Sequence, residues 1–189
     1  MENKIDENFN RALKEVLEIE GGFVNDVDDP GKATNWGITE SVAREFGYNG
    51  DMKNFSKEDA IKIYYDKYWK EPGFFRIRNS KIASELFEFG VNSGTSTAVK
   101  VLQRAYNTLN QNDIIDEDGM LGPVTASKVN NYKFYKSLYK CMNILQGMFY
   151  IALAEGDKDL INNIKHHKIT KGTRMKKFFR GWISKRISL

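Results

Sequence analysis

A chain of 189 residues with 41% hydrophobic, 13% aromatic and 29% charged side chains can build a substantial core, which excludes a disordered chain. Its single cysteine, Cys141, excludes an intrachain disulfide framework. The net charge of +4 conceals a division: Lys165 to Leu189 holds nine bases and no acid, whereas the rest holds 20 bases against 25 acids, so a basic end suited to polyanions follows an acidic body.

Phe9, Ala12, Leu13, Val16 and Leu17 recur at helical spacing, which predicts an amphipathic helix over residues 7–20, ended by Gly21-Gly22. Residues 22–38 are dense in Gly, Asn, Asp and Pro, the chemistry of a short irregular β-hairpin. Thr39 can cap a helix that stops at Gly47. Ser56 and Asp59 form a capping box for a helix with Ala60, Ile61, Tyr64, Tyr65, Tyr68 and Trp69 on one face. A further helix covers roughly 80–91, and another runs through Val99, Leu102 and Tyr106. Pro123 suits the first position of the next helix, and a long helix spans about 132–155. Met175, Phe178, Phe179, Trp182 and Ile183 share one side of a basic tail helix. The fold class is therefore mainly α, a helical body with a small irregular β-hairpin region near residues 22–38. No linker rich in Pro, Gly or Ser divides the chain, so residues 94–189 are read as completing the fold begun by 1–93.

Phe9, Leu13 and Val16 make one stripe, and the next step of four lands on Glu20. A carboxyl at a buried position and at a helix C-terminus is held towards its protonated form by desolvation and by the helix dipole. A protonated carboxyl is what protonates the leaving oxygen of a glycoside. Periodicity alone favours the simpler alternative, that Glu20 turns to solvent or pairs with an arginine. The segment that follows supplies partners for the catalytic reading. Asp26, Asp28 and Asp29 precede Thr34 and Asn35 on a tight turn, so a second acid and a hydroxyl can face the first acid.

Glu20-Gly21-Gly22-Phe23-Val24-Asn25-Asp26, followed by residues 29–39 (Asp-Pro-Gly-Lys-Ala-Thr-Asn-Trp-Gly-Ile-Thr), resembles the signature of glycoside hydrolase family 108. That family comprises lysozyme-like N-acetylmuramidases, among them phage endolysins and proteins labelled secretion activators. The resemblance continues through Tyr64–Trp69, Phe87–Gly94, Leu102–Ala105, Asp118–Thr125 and Arg180–Trp182. It implies that Glu20 is the catalytic acid. The order Glu20, Asp29, Thr34 is also similar to the glutamate, aspartate and threonine of phage-type lysozymes, with Asp26 competing with Asp29 as the second acid. Relatives often carry tyrosine where this chain has Phe23. Asp26, Asn35, Trp36, Tyr65 and Asn92 are the expected substrate contacts.

The implied reaction is hydrolysis of the bond from N-acetylmuramic acid to N-acetylglucosamine in peptidoglycan, in host lysis or in wall remodelling linked to secretion. No metal or organic cofactor is expected. The alternative is a non-catalytic peptidoglycan-binding or secretion-accessory protein of the same fold. The region from Gly94 to about Thr125 resembles a peptidoglycan-binding segment, or else is a plain helix-turn-helix connection. The basic tail could meet an anionic wall or membrane surface, and no groove-reading motif points to nucleic acid. The N-terminus has no secretory-signal pattern, so the expectation is cytoplasmic synthesis followed by action at the wall or periplasm after release or assisted export. Asp116-Glu117-Asp118-Gly119 is not an EF-hand loop, because Ile114 and Thr125 would fall where acids are required. His166 and His167 are adjacent and do not share a helix face, which argues against a metal pair.

Overall fold

The structure, a computed structural model, describes residues 7–19, 23–25, 33–110 and 113–166. It is mainly helical, as the periodicity predicts. In chain order the elements are α1 (Glu7–Ile19), β1 (Val24–Asn25), β2 (Ala33–Asn35), β3 (Ile38–Thr39), α2 (Glu40–Glu45) and α3 (Lys57–Ile63). A π-helix, Tyr64–Lys70, continues α3 directly. Then come α4 (Ser80–Ser93), α5 (Thr95–Leu109), α6 (Pro123–Asn130), α7 (Tyr135–Glu155) and α8 (Lys158–His166). Among the described residues no helix is long and apolar enough to cross a membrane. The tail residues from 167 onward lie outside the described residues.

Local chemistry sets the helix starts. Thr39 Oγ1 accepts from Val42 N at 3.4 Å, Ser56 Oγ from Asp59 N at 3.1 Å and Asn79 Oδ1 from Ile82 N at 3.2 Å. At Ser56 the capping box differs in its return bond: the hydroxyl also donates to Asp59 Oδ2 at 2.7 Å. Pro123 occupies the first turn of α6, where its missing N–H has no intrahelical partner to lose. The sequence reading missed α8, and its α7 started three residues early.

The β region is a three-stranded antiparallel sheet, β1-β2-β3, rather than a single hairpin. Thr34 pairs with Val24 on one side and with Thr39 on the other. Strands of two or three residues are too short to stand alone. Buried Asn35 anchors this sheet, its Nδ2 donating to Met52 O at 2.7 Å and Phe55 O at 3.4 Å.

The helices α1 and α4 run in the same direction. Asn8 Nδ2 donates to Ile77 O at 3.3 Å and Arg11 Nη1 to Ser80 Oγ at 3.2 Å, which ties their starts together. Further along, Glu15 is close enough to Glu88 to repel it. A small cleft among α1, α4 and α7 is lined by Arg11 and Glu15, by Lys81, Ser84, Glu85 and Glu88, and by Tyr139. Burial raises the Glu85 carboxyl above its ordinary range, and the charge of Glu88 adds to the rise. Burial, then Glu15, raises Glu88.

The loop from α5 to α6 is clasped by two amides one turn apart on α5. Gln103 Nε2 donates to Asp118 Oδ1 at 2.7 Å and to Met120 O at 3.2 Å, and its Oε1 accepts from Gly119 N at 2.9 Å. Asn107 Nδ2 donates to Ile115 O at 2.8 Å and Glu117 Oε1 at 2.9 Å, while its Oδ1 accepts from Ile115 N at 2.9 Å. Gly119 is required: its φ is +79°, and a Cβ would come within 2.3 Å of Ser96 Oγ and 3.0 Å of Ser96 O. The Asp-Gly-x-x-Gly-Pro-x-Thr segment is thus a clasped helix-turn-helix connection in its local structure.

Replacing Gln103 with Leu removes the acceptor of the half-buried Gly119 N–H, and is expected to lower stability by about 1–2 kcal/mol in urea denaturation. For Glu88, a folded-state pKa above the unfolded value means that its stabilising contribution is present in acid and lost as pH rises through the folded pKa. Glu88→Gln is therefore expected to raise the melting temperature at neutral pH, with the gain disappearing below the ordinary glutamate pKa of 4.5. Melting curves across pH check this; a gain that persists unchanged in acid contradicts it.

Candidate functional site

Two surfaces carry functional potential, and the π-helix joins them. In an α-helix, side chains five apart diverge, but the wider i→i+5 turn returns them to one face. Tyr64 and Trp69 are accordingly both fully buried, and Glu71 N closes a wide turn by donating to Asp66 O at 2.9 Å. Phe9 packs against Tyr65, Trp69 and Phe87, which makes an aromatic core under both surfaces.

The first surface is the tip of the small sheet. Asn35 and Ile38 are paired across a two-residue turn, Trp36-Gly37, with φ +53° and +73°. Positive φ at both central residues is the type I′ hairpin turn, where Asn-Gly is the preferred pair. A tryptophan in the left-handed region costs roughly 1–2 kcal/mol. Tyr64 OH donates to Trp36 O at 3.0 Å and holds this turn against the π-helix. The half-buried Trp36 ring carries Lys57 Nζ 5.4 Å from its centroid. Thr34 stands next to the turn, half-buried on the central strand.

The second surface is an open groove of about 660 Å³. One wall comes from the end of the π-helix and the turn after it, including Tyr68, Lys70 and Arg76. The opposite wall is the clasped segment Gly119–Gly122, and the floor is the end of α4 with the start of α5. Lys67 is committed elsewhere, paired with Glu45 and 5.8 Å from the Phe46 ring centroid. Desolvation raises the half-buried Tyr68 hydroxyl pKa, so it remains a neutral donor.

Of the residues singled out from sequence, Glu20, Asp26 and Asp29 lie outside the described residues. Thr34 and Trp36 come together at the sheet tip. Asn35 is buried, and its amide serves the loop at Met52 and Phe55. Tyr65 is half-buried, edge-on to Phe9 at 5.1 Å between ring centroids. Asn92 is exposed near the end of α4, its Nδ2 donating to Glu88 O at 3.1 Å. Among the described residues no group of three or more His, Cys, Asp or Glu side chains could hold a metal ion. Sequence reasoning missed the groove, because Lys70, Arg76 and Met120 belong to no periodic pattern. Pro72-Gly73 and Asp118-Gly119 are turn-forming pairs, but their approach to each other is set by tertiary packing.

Comparison with known proteins agrees with the resemblance. Residues 13–94 match Glycosyl hydrolase 108, and residues 97–187 match a predicted peptidoglycan domain. No curated protein matches the chain. The solved structure of Brucella abortus SagA is similar in fold, with a TM-score of 0.60 and 24% identity over 83% of this chain and 91% of that one. The two segment matches support a peptidoglycan-related, lysozyme-like function, and the solved structure supports the fold. By sequence, residues 13–94 are thus similar to the Glycosyl hydrolase 108 family and residues 97–187 to a predicted peptidoglycan domain.

Proposed function

We propose that the chain is an N-acetylmuramidase that hydrolyses the bond from N-acetylmuramic acid to N-acetylglucosamine in peptidoglycan. The observation that carries this reading is the Glycosyl hydrolase 108 match over residues 13–94, a span that contains Glu20, Asp29 and Thr34 in order. Glu20 protonates the leaving glycosidic oxygen. Asp29, with Asp26 as its competitor, activates water or stabilises the developing positive charge, and Thr34 positions the water. Trp36 supplies an aromatic face for a sugar ring, and Asn92 a polar contact. The same chemistry serves lysis or wall remodelling.

A general acid contributes on the order of 10²–10⁴-fold in rate. Glu20→Gln is therefore expected to lose at least about 10²-fold in release of reducing ends from purified sacculi, with its circular dichroism unaltered. Parental rates in that variant would sink the reading. A protein that pellets with sacculi yet releases no reducing ends would instead be the non-catalytic wall binder. Mass analysis of the reducing sugar separates a muramidase from a glucosaminidase.

Trp36→Asn is the sharper test of the sheet tip. Asparagine tolerates the left-handed backbone, so relief of strain offsets part of the lost packing, and stability is expected to stay within about 1 kcal/mol of the parent. Sacculus binding in a pelleting assay is expected to weaken about tenfold, as loss of one stacking ring at roughly 1.4 kcal/mol requires. Unaltered binding would remove Trp36 from the substrate surface.

A further inference from the structure

Arg76 stands on the groove wall already set in place. Its guanidinium stacks 4.7 Å from the Phe75 ring centroid. Its backbone is held at both ends: Asn130 Nδ2 donates to Arg76 O at 2.8 Å, and Arg76 N donates to Gly73 O at 3.0 Å. The side chain lies across Gly73, where φ is +82° and a Cβ would meet Arg76 Nε at 3.2 Å and Leu121 O at 3.0 Å. Gly73 therefore lets the arginine and the opposite wall approach each other. Among the described residues no carboxylate pairs with Arg76 or with the exposed Lys70. The one acid on the wall is Glu71.

A fixed guanidinium matches a carboxylate in two parallel hydrogen bonds and loses little side-chain freedom in doing so. Around these cations the groove is lined by small apolar surface from Val91, Leu121 and Met120, the last 67% exposed. A neutral glycan of acetamido sugars offers no carboxylate to this wall. The peptide amide-linked to each muramic acid does, and it carries alanyl methyl groups as well. The groove also draws its walls from both matched segments, Lys67–Arg76 from the first and Gly119–Gly122 from the second, so a glycan held by the first can lay its peptide against the second.

We propose that this groove is a subsite for the acidic stem peptide of peptidoglycan, with Arg76 and Lys70 receiving its carboxylates and Val91, Leu121 and Met120 its methyl groups. The assignment rests on the muramidase reading for its choice of peptide. The test titrates the full-length protein with the free tetrapeptide L-Ala–γ-D-Glu–L-Lys–D-Ala, followed by calorimetry. Saturable binding is expected, weakened about tenfold in the double variant Arg76→Gln/Lys70→Gln and by methyl-esterifying the peptide carboxyls, and retained in Lys158→Gln, a control on α8. No binding by the parent, or equal binding by the double variant, overturns the proposal. Should the double variant misfold, Lys70→Gln alone is read by the same criterion. The titration needs no turnover, so a parent protein that binds the peptide but cleaves no sacculi would defeat the muramidase reading and leave the subsite standing.

Discussion

The packing of Phe9 against Tyr65, Trp69 and Phe87, edge-on to the first and last and tilted to Trp69, ties three segments together at one point. Ring centroids lie 5.1, 5.7 and 5.8 Å away, and the three partners belong to the π-helix and to α4. Each such pair contributes about 0.5–1.5 kcal/mol beyond the area it buries. The cluster needs Trp69 to point inward together with Tyr64, which a regular α-helix would not allow at a spacing of five. The π turn solves that register problem, and the functional surfaces follow from it. Tyr64, turned inward, reaches the Trp36 carbonyl and holds the sheet tip. Tyr68 and Lys70 are left facing the groove. One aromatic packing requirement thus positions both the sheet tip and one wall of the groove.

The second half of the groove depends on buried amides rather than rings. Gln103 is fully buried, and Asn107, one turn on, is nearly so. Each bonds to backbone on the loop it clasps, so the loop's geometry is dictated from α5. A buried polar group left without partners costs about 1–3 kcal/mol, which makes such a network all-or-none: every bond is in place or the loop detaches. The wall Gly119–Gly122 is consequently part of the helical body, although its composition reads as a surface turn.

Much of this architecture was legible in the sequence, because periodicity and capping are local. Thr39, Ser56, Pro123 and the apolar stripe Phe9-Ala12-Leu13-Val16 each announce their element within a few residues. The aromatics of 64–69 were read as a single helical face, and the departure from that reading has a plain cause. The helix widens so that Tyr64 and Trp69 can share the interior, and that requirement comes from Phe9 and Phe87, far away in the chain. Asn35 shows the same limit at the candidate site. Its place on the turn suggested a sugar contact, but the carbonyls of Met52 and Phe55, 17 and 20 residues away, claim its amide. Trp36 was expected as a substrate contact, but its backbone strain depends on a turn type that composition did not specify. The groove was not legible at all, since Arg76 and Leu121 meet only through tertiary packing across Gly73.

Strain and charge together indicate what Trp36 is for. Asparagine or glycine would occupy its backbone position at lower energy, so the tryptophan must return something through its side chain. Packing returns part of it, because the ring is half-buried against the core. The remaining face is covered by Lys57, whose ammonium lies 5.4 Å from the ring centroid. A cation over an aromatic face at an exposed position contributes about 0.5–1 kcal/mol, less than a stacked sugar ring can repay through burial of the same face. Lys57 therefore orients the ring through a contact that costs little to displace. The cleft among α1, α4 and α7 is of a different kind: burial raises Glu85 and Glu88, and Arg11 and Lys81 stand beside them. The strained backbone and the lightly covered ring of the sheet tip are therefore the features on which the proposed sugar contact at Trp36 rests.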